Sequence, residues 1–314
     1  MAGAFTSVTP ATPDLLVVGA GAAGVSAALW ARSLQLDVQL IEGGPRPGGQ
    51  LHDIHFEPDN VALAAAGQGA ALAARLAEQL ARAGIAPACD TVAIGIGDED
   101  GRPCVRTSDG GRLRAEALLV ATGARKRRLG VPGERELEGR GVSTSATRDR
   151  AQLAGRRVAV AGGGDAAYEN ALLLARAACD VVLLVRDAPR ARAEFQRAAE
   201  AEPRIAVRHD TQVTAALGTG RLEAVRIESA GRREDLAVDA LVVKVGIMPN
   251  SEWCAGALAL DPAGHVEVDA TLRTSRPRVW AAGDVTGPNR PSLAVAIGQA
   301  AEAVDAIRRE LRGD

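Results

Sequence analysis

Two turns of this sequence carry glycines at the spacing with which a peptide backbone binds a phosphate group. The first turn contains Gly19, Gly21 and Gly24, and the second has G-x-G-x-x-A spacing with Gly162 and Gly164. In such a turn the first glycine permits a tight bend, the second lets backbone N–H groups approach a pyrophosphate, and the third position lets the helix pack closely on the strand. Both turns therefore predict dinucleotide binding; the alternative is a strand-to-helix turn with glycines for packing only.

The residues after the second strand of each unit distinguish the two turns. Glu42 ends the strand that follows the first turn, where a ribose 2′-hydroxyl needs an acceptor. The second turn lacks an acid at the equivalent position and has Arg186 beside it, with Arg190 and Arg192 just beyond. Arginines favour a 2′-phosphate, so the second site predicts NADPH rather than NADH. Asp187 opposes this electrostatic effect, and the alternative is that the arginines only solvate a loop.

The elements around both turns repeat one order of strand, turn, helix and strand. This order is read from residues 15–42 and again from residues 157–185, each with an apolar run on either side of a helical pattern. A further helix is predicted over residues 61–84 and a last one over residues 292–311. Short alternating strands fill most of the remainder, including one at residues 266–268. The sequence therefore predicts an α/β fold with two Rossmann-like dinucleotide-binding domains.

An acid also ends the strand that precedes the last helix. Gly283 and Asp284 end a short apolar strand, and the helix begins near Ser292. We expect the Asp284 carboxylate to hold a ribityl hydroxyl while the positive end of the helix dipole faces a flavin. The alternative is that Asp284 is a simple helix-capping or turn residue.

Composition excludes several classes of function. The 314 residues are 47% hydrophobic and 24% charged, which is typical of a globular protein of about two domains. A net charge of -2, with three Trp, one Tyr and three Phe, argues against a nucleic-acid partner. The N-terminal residues show no signal-peptide pattern and no run is long enough to span a bilayer, so we expect no membrane partner and a cytoplasmic location.

The four cysteines are isolated from one another along the chain. Cys89, Cys104, Cys179 and Cys254 form neither a C-x-x-C pair nor a metal-ligand cluster. We therefore expect them to be small buried apolar side chains, and we expect no metal site.

Over nearly its whole length the sequence resembles the low-molecular-weight thioredoxin reductases and their relatives. The shared motifs, in order, are GAGAAG, GGQL, ATGA, GRGVS, AGGGDAA, a PN turn and AAGDV. The resemblance implies a homodimeric flavoprotein with a discontinuous FAD domain, residues 1–124 and 252–314, and an inserted NAD(P)H domain, residues 125–251. The residues implied to hold FAD are Gly19, Gly21, Ala22, Gly24, Glu42, Gly49, Gln50, Gly123, Gly283, Asp284 and Ser292. The residues implied to hold NADPH, with NADH as the alternative, are Gly162, Gly164, Asp165, Ala166, Arg186, Arg190 and Arg192.

The sequence departs from that family in the segment GRGVSTSATRD. Where thioredoxin reductases carry C-A-T-C, this chain has Ser145 and Arg148 on either side of an unchanged Ala-Thr pair. A serine hydroxyl cannot form a disulfide, and an arginine has no redox chemistry. We therefore expect the dithiol that takes electrons from the flavin in that family to be missing.

One branch resembling this chain, the thioredoxin-reductase-like ferredoxin or flavodoxin NADP reductases, lacks the dithiol. Its members stack an aromatic residue on the isoalloxazine five residues beyond the Gln of GGQL, and His55 takes that position here. We expect His55 to stack on the flavin and carry a proton near N5; the alternative is an exposed loop histidine. Against this branch, GRGVS and ATGA are closer to true thioredoxin reductases, and the sequence has no C-terminal extension that would cover the flavin.

These observations predict an FAD-dependent NAD(P)H oxidoreductase that passes electrons from reduced flavin directly to an external acceptor. The favoured acceptor is a ferredoxin or flavodoxin, with the basic residues 125–128 as its docking patch; the alternative for that patch is a solvated hinge. Two other functions stay open. One is an oxidase or a reductase of a small molecule such as a quinone or disulfide, and the other is a flavin-holding binding or sensing protein without turnover.

Overall fold

The computed structural model describes residues 12–58, 60–62, 67–289 and 291–313. The chain is divided into two compact units. Residues 1–125 and 248–314 form the first unit, and residues 126–247 form the second. Each unit contains one parallel sheet with helices, which confirms the predicted α/β class with two Rossmann-like sheets.

The helices and strands are numbered in chain order. The chain begins with β1 (Leu15–Val18), α1 (Ala22–Ser33), β2 (Val38–Ile41), α2 (Gly69–Arg82), β3 (Ala93–Glu99), β4 (Arg102–Thr107), β5 (Arg112–Arg114), β6 (Ala117–Val120) and β7 (Ala124–Lys126), whose last residue is the first of the second unit. The second unit contains β8 (Val142–Ser143), α3 (Ala146–Leu153), β9 (Arg157–Ala161), α4 (Asp165–Arg176), β10 (Asp180–Leu184), α5 (Ala193–Ala201), β11 (Ile205–Arg208), β12 (Thr211–Leu217), β13 (Ala224–Ser229), β14 (Arg232–Ala237) and β15 (Ala240–Val243). The chain then continues through β16 (Ile247–Pro249), β17 (Val279–Ala281) and α6 (Leu293–Arg312).

The first unit is built on a four-stranded parallel sheet in the order β17-β6-β1-β2. Its strands are short apolar runs that are buried on both faces, as parallel strands require. One face packs on α1 and α6, whose alanines allow close approach to the sheet. The other face packs on residues of the antiparallel sheet β3-β4-β5. The central strand β1 therefore delivers the first glycine turn to the carboxyl edge of a fully covered sheet.

The second unit repeats this arrangement with a five-stranded parallel sheet in the order β11-β10-β9-β15-β8. One face packs on helical residues from α3, α4 and α5. The other face packs on the antiparallel sheet β12-β13-β14. Chain order reverses on either side of β9, because β10 follows β9 directly whereas β15 comes much later. Ligands of such sheets bind in the crevice at that reversal.

Two predicted elements differ from the structure. The helix expected over residues 61–84 begins only at Gly69, with Gln68 as its N-cap, because Gly67 has a φ of +139° that a helix cannot include; residues 63–66 lie outside the described part of the chain. The strand expected at residues 266–268 forms only an isolated bridge between Leu260 and Val266. Among the residues that the structure describes, no helix is both long enough and apolar enough to cross a bilayer.

Candidate functional site

The first glycine turn joins β1 to α1 at the carboxyl edge of the sheet of the first unit. Gly19 has a φ of +104°, and a Cβ there would lie 2.5 Å from the carbonyl oxygen of Ala121. A Cβ at Gly24 would lie 1.7 Å from the carbonyl oxygen of Gly19, so helix and turn are in direct contact. Gly21 is the N-cap of α1, just before Ala22, and a Cβ there would meet no atom within 4 Å. The first and third glycines are thus packed and the second is open, which fits a pyrophosphate.

Glu42 follows β2 directly and turns its carboxylate towards the glycine turn. Its Oε2 accepts the N–H of Ala20 at 2.6 Å, and its Oε1 accepts the N–H of Gly44 at 2.8 Å. One carboxylate therefore connects the glycine turn with the loop that follows β2. Since a carboxylate has about four acceptor positions, two hydrogen bonds leave capacity for sugar hydroxyls.

The GGQL segment lies against the same turn and contacts Asp284, which is distant from it in sequence. Gly49 has a φ of +51°, and a Cβ there would lie 3.2 Å from the Cα of Gly21. The Nε2 of Gln50 donates to Oδ2 of Asp284 at 2.9 Å. Gly123 is next to this pair, since a Cβ at Gly123 would lie 3.6 Å from the Nε2 of Gln50. Residues from four motifs, GAGAAG, GGQL, ATGA and AAGDV, thus meet at one edge of the sheet.

Gln299, which the sequence motifs did not indicate, holds the segment before α6. The N–H of Gly283 donates to Oε1 of Gln299 at 2.8 Å. Gln299 is a polar residue next to the buried alanines of α6, and that polarity was the only signal in the sequence. The N-cap of α6 is Ser292, whose hydroxyl accepts a helix N–H. Asp284 is therefore not the cap of α6 and instead begins the 3-10 turn Asp284–Thr286.

His55 lies just after the 3-10 turn Gly49–Asp53 and is half-buried. Within the described residues its ring makes no hydrogen bond, whereas Nε2 of His52 lies 2.9 Å from the carbonyl oxygen of Pro47. His52 is thus engaged in holding the loop, whereas His55 has no such contact in the described part of the chain. The stacking of His55 on a flavin stays a prediction.

The second glycine turn, between β9 and α4, repeats the geometry of the first. Gly162 has a φ of +148°, and a Cβ there would lie 2.2 Å from the carbonyl oxygen of Lys244. Gly164 is the N-cap of α4, and a Cβ there would meet no atom within 4 Å. Asp165 and Ala166 form the first helical turn directly after it. An open second glycine at a helix N-terminus again fits a pyrophosphate.

The loop after β10 is fastened to this second turn. The backbone N–H of Arg190 donates to the carbonyl oxygen of Gly163 at 2.7 Å. The carboxylate of Asp165 accepts both the backbone N–H of Arg192, at 2.7 Å, and its Nε, at 2.9 Å. Two of the three predicted arginines are therefore beside the first turn of α4, and Asp165 is already engaged by one of them.

Arg186 is paired with the neighbouring acid. Its Nε and Nη2 lie 2.9 and 2.8 Å from Oδ2 of Asp187, and both side chains are 71% exposed. Exposed ion pairs of this kind are weak and screened by salt, so Arg186 can exchange Asp187 for a phosphate at small cost. Asp187 lowers the positive potential around Arg186.

The positions of the expected dithiol hold a helix cap and an ion pair. Ser145 is the buried N-cap of α3, and its hydroxyl accepts the N–H of Arg148 at 3.3 Å. The Arg148 side chain pairs with Asp149, with Nε 2.6 Å from Oδ1. The hydroxyl of Ser143 donates to the same carboxylate. These side chains form a hydrogen-bonded network that stabilises the start of α3.

All four cysteines of the sequence are free thiols in the structure. Cys104, Cys179 and Cys254 are buried and Cys89 is half-buried. Burial is the largest cause that raises the pKa of each thiol, and it raises the pKa of Cys254 to about 12. Since the thiolate is the reactive form, each of these side chains is a poor nucleophile at neutral pH.

A family model described as pyridine nucleotide-disulphide oxidoreductase matches residues 13–305. One alkyl hydroperoxide reductase subunit, from Pseudomonas putida, is 34% identical over 300 residues, which cover 92% of this chain and 56% of that protein. Thioredoxin reductase of Streptomyces coelicolor is 34% identical over 278 residues, covering 87% of this chain and 85% of that one. The chain thus spans about half the length of the alkyl hydroperoxide reductase subunits it matches.

The fold is likewise similar to solved thioredoxin reductases. The enzyme of Lactococcus lactis in its FR conformation superposes with a TM-score of 0.83 at 28% identity, over 96% of this chain and 100% of that one. Thioredoxin reductases use FAD and NADPH, and both glycine turns described above have the open second glycine that such dinucleotides need. The chain therefore belongs to the pyridine nucleotide-disulphide oxidoreductase family, as a thioredoxin reductase-like flavoprotein whose homologues use FAD and NADPH.

Proposed function

We propose that this chain is an FAD-dependent NAD(P)H oxidoreductase whose reduced flavin passes electrons directly to an external acceptor, without a dithiol relay. The observation that carries this proposal is the network at the start of α3. Ser145 caps the helix and Arg148 pairs with Asp149, at the two positions where thioredoxin reductases have cysteines. The raised pKa values of all four thiols support it further, because none of them is poised to attack or form a disulfide.

The proposal assigns FAD to residues 1–124 with 252–314 and NAD(P)H to residues 125–251. Glu42 supports the first assignment, because an acid at the end of β2 suits an unphosphorylated ribose. Arg186, Arg190 and Arg192 support the second, because their loop lies beside an open helix N-terminus. NADPH is therefore the preferred donor, and NADH is the weaker alternative because of Asp187.

The cofactors supply the redox chemistry when bound, since hydride passes from nicotinamide to flavin. The contribution of the chain is binding, orientation and control of access. The N-terminus of α6, capped by Ser292, would offer a positive dipole end to the flavin pyrimidine. Gln50 and Asp284, which are hydrogen-bonded to each other, would hold the ribityl chain. His55 would stack on the ring and carry a proton near N5.

The favoured acceptor is a small acidic electron carrier, a ferredoxin or flavodoxin, that docks on residues 125–128. Arg125 is ion-paired with Glu252 and Arg128 with Glu138, so both arginines are partly neutralised before any partner arrives. The patch is consequently a modest docking surface, and its effect should decline with salt. A homodimer in the cytoplasm is part of the same proposal, and both points come from the sequence alone.

The test is anaerobic stopped-flow reduction of the FAD-loaded protein by NADPH or NADH, followed by mixing with candidate acceptors. We expect the flavin absorbance to bleach, and to recover on mixing with ferredoxin or flavodoxin at a rate that falls with added salt. A variant with all four cysteines replaced by alanine should transfer electrons at the same rate. Loss of transfer in that variant, with flavin reduction intact, would show that a thiol relay is required.

Other outcomes identify the alternative functions. Rapid peroxide formation in air, unaffected by a carrier, would identify an oxidase, and recovery with quinones or low-molecular-weight disulfides alone would identify a small-molecule reductase. An absence of bleaching with either nucleotide would indicate a flavin-holding binding or sensing protein.

A further inference from the structure

The sequence uses arginine almost exclusively as its cation. Its 37 Lys and Arg residues include only two lysines, Lys126 and Lys244, and both lie in the second unit. Lysine differs from arginine in that burial readily shifts its pKa towards neutrality. A buried lysine in this chain is therefore a candidate for a functional role.

Lys244 lies beside the second glycine turn. It follows β15 directly, and its backbone N–H donates to the carbonyl oxygen of Ala161 at 2.8 Å. Its own carbonyl oxygen is the atom that a Cβ at Gly162 would meet at 2.2 Å. Since β15 neighbours β9 on the side away from β10, Lys244 stands at the chain reversal where ligands of parallel sheets bind.

Strand alternation gives the direction of the Lys244 side chain. Val242 belongs to the core cluster that contains Ala167 and Ala171 of α4, whereas Val243 belongs to the cluster on the opposite face. Because side chains two residues apart point to the same face, Lys244 extends on the α4 side, beyond the end of the strand. This is the side on which the N-terminus of α4 presents its free N–H groups.

The charges around Lys244 are unfavourable for a lone ammonium group. The pKa of Lys244 is lowered to about 8: burial is the largest cause, repulsion by Lys126 of β7 acts in the same direction, and Glu169 of α4 opposes both effects. The positive end of the α4 dipole adds to the repulsion. Within the described residues no hydrogen bond or ion pair holds the Lys244 amine. A bound anion would relieve this local excess of positive charge.

We propose that Lys244 binds the diphosphate of the pyridine dinucleotide, from the side of the glycine turn opposite to the arginine loop. This inference rests on the proposed NAD(P)H site of the second unit. Lys244 then contributes affinity for any pyridine dinucleotide, because every one of them has a diphosphate. Recognition of the 2′-phosphate belongs to the arginine loop, with Arg186, Arg190 and Arg192.

Binding of the diphosphate by Lys244 should depend on pH. Only the protonated amine attracts the diphosphate, so affinity is highest below the pKa of free Lys244 and falls as pH rises through about 8. A bound diphosphate stabilises the charged amine, so ligand binding must raise the pKa of Lys244 by linkage. Lys126 and Glu169 are the neighbouring groups that shape this titration.

The experiment measures binding of ADP-ribose and 2′-phospho-ADP-ribose to the FAD-loaded protein by calorimetry, from neutral pH to well above the pKa of Lys244. Lys244→Gln should weaken both ligands equally, by roughly tenfold or more at neutral pH, as expected for loss of a charge-assisted hydrogen bond. Lys244→Arg should keep the neutral-pH affinity and abolish the alkaline decline. Arg186→Gln is the matched control and should weaken only the 2′-phosphorylated ligand.

A second readout distinguishes binding from a structural role. Reductive methylation with a ¹³C label marks only the two lysines and the N-terminal amine, and Lys126→Arg assigns the signals. Addition of ADP-ribose should raise the pKa of the Lys244 signal. Ligand binding with an unchanged Lys244 pKa, or with equal affinities in wild type and Lys244→Gln, would overturn the inference. Failure of the wild-type protein to bind either ligand would instead overturn the proposed NAD(P)H site.

Discussion

Individual glycines of the first turn meet two separate physical requirements. Gly24 has no space for a side chain, because a Cβ would lie 1.7 Å from the carbonyl oxygen of Gly19. Gly21 has ample space in the structure, and its missing Cβ leaves room that a pyrophosphate would fill. The same residue type thus serves packing at one position and ligand approach at the other.

Replacement of Gly24 and of Gly21 by alanine should therefore affect two different properties, the stability of the protein and the retention of FAD. Gly24→Ala should lower the free energy of unfolding of the flavin-free protein by about 3 kcal/mol or more, because backbone atoms must move to accept the methyl group. Gly21→Ala should change that quantity by less than about 1 kcal/mol and mainly reduce FAD retention. Chemical denaturation and the flavin absorbance after gel filtration measure the two effects. Equal loss of stability in both variants would contradict the assignment.

A single acid also lowers the positive charge of the loop that we propose for the 2′-phosphate. Asp187 holds Arg186 in an exposed ion pair and places a negative charge beside the three arginines of the loop. Asp187→Asn should shift the ratio of kcat/KM values for NADPH and NADH roughly two- to fivefold towards NADPH, the range for exposed charges. Asp210→Asn, at an exposed position after β11, is the control. An unchanged ratio would mean that this loop does not contact the 2′-phosphate.

At the scale of elements, the start of α3 is stabilised by side chains at the two positions where the sequence departs from C-A-T-C. The hydroxyl of Ser145 accepts the N–H of Arg148, and Asp149 in the first turn pairs with the Arg148 side chain. An N-cap and an acid in the first turn both stabilise a helix start. Side chains at these two positions therefore stabilise the start of the helix.

Ser145→Ala should act on stability and leave electron transfer intact. Loss of the N-cap should cost about 1 kcal/mol, seen as a lower midpoint of thermal unfolding. The rate of flavin reoxidation by a carrier should not change. Ser33→Ala is a suitable control, because that hydroxyl donates to a carbonyl oxygen at the end of α1. A large fall in the reoxidation rate would instead place Ser145 in the electron-transfer path.

At the scale of the whole molecule, each unit has its own parallel sheet and its own core clusters. The clusters of the first unit draw on residues 15–41 and 266–307 among others, and those of the second lie wholly within residues 137–243. Each unit also has one glycine turn with an open second glycine. The two units should therefore respond separately to their ligands.

Calorimetric unfolding should show this separation. FAD should raise one transition and ADP-ribose the other, each by about 2.7 kcal/mol at a hundredfold excess over Kd. For units of this size such stabilisation corresponds to a rise of roughly 5–10 °C in the midpoint. If both ligands raised the same transition and left the other unchanged, the assignment of one dinucleotide to each unit would be wrong.

The local pattern of the chain was sufficient to predict the α/β class, the two glycine turns and most strands. These features depend on neighbours in sequence, such as the apolar run before Gly19 and the helical spacing after it. The helix start at Gly69 was mispredicted, because an alanine-rich segment has the composition of a helix even where Gly67 breaks it.

Only the tertiary structure decided which residues, although distant in sequence, lie at the same edge of a sheet. Gln50 meets Asp284 across 234 positions of sequence, and Gln299 meets Gly283 through the packing of α6. Lys244 reaches the second glycine turn only because β15 pairs with β9. A local pattern records the preference of a segment for helix or strand, whereas these contacts depend on strand order and helix packing. Strand order depends on how the apolar faces of the whole chain are buried, and that is a property of the folded molecule.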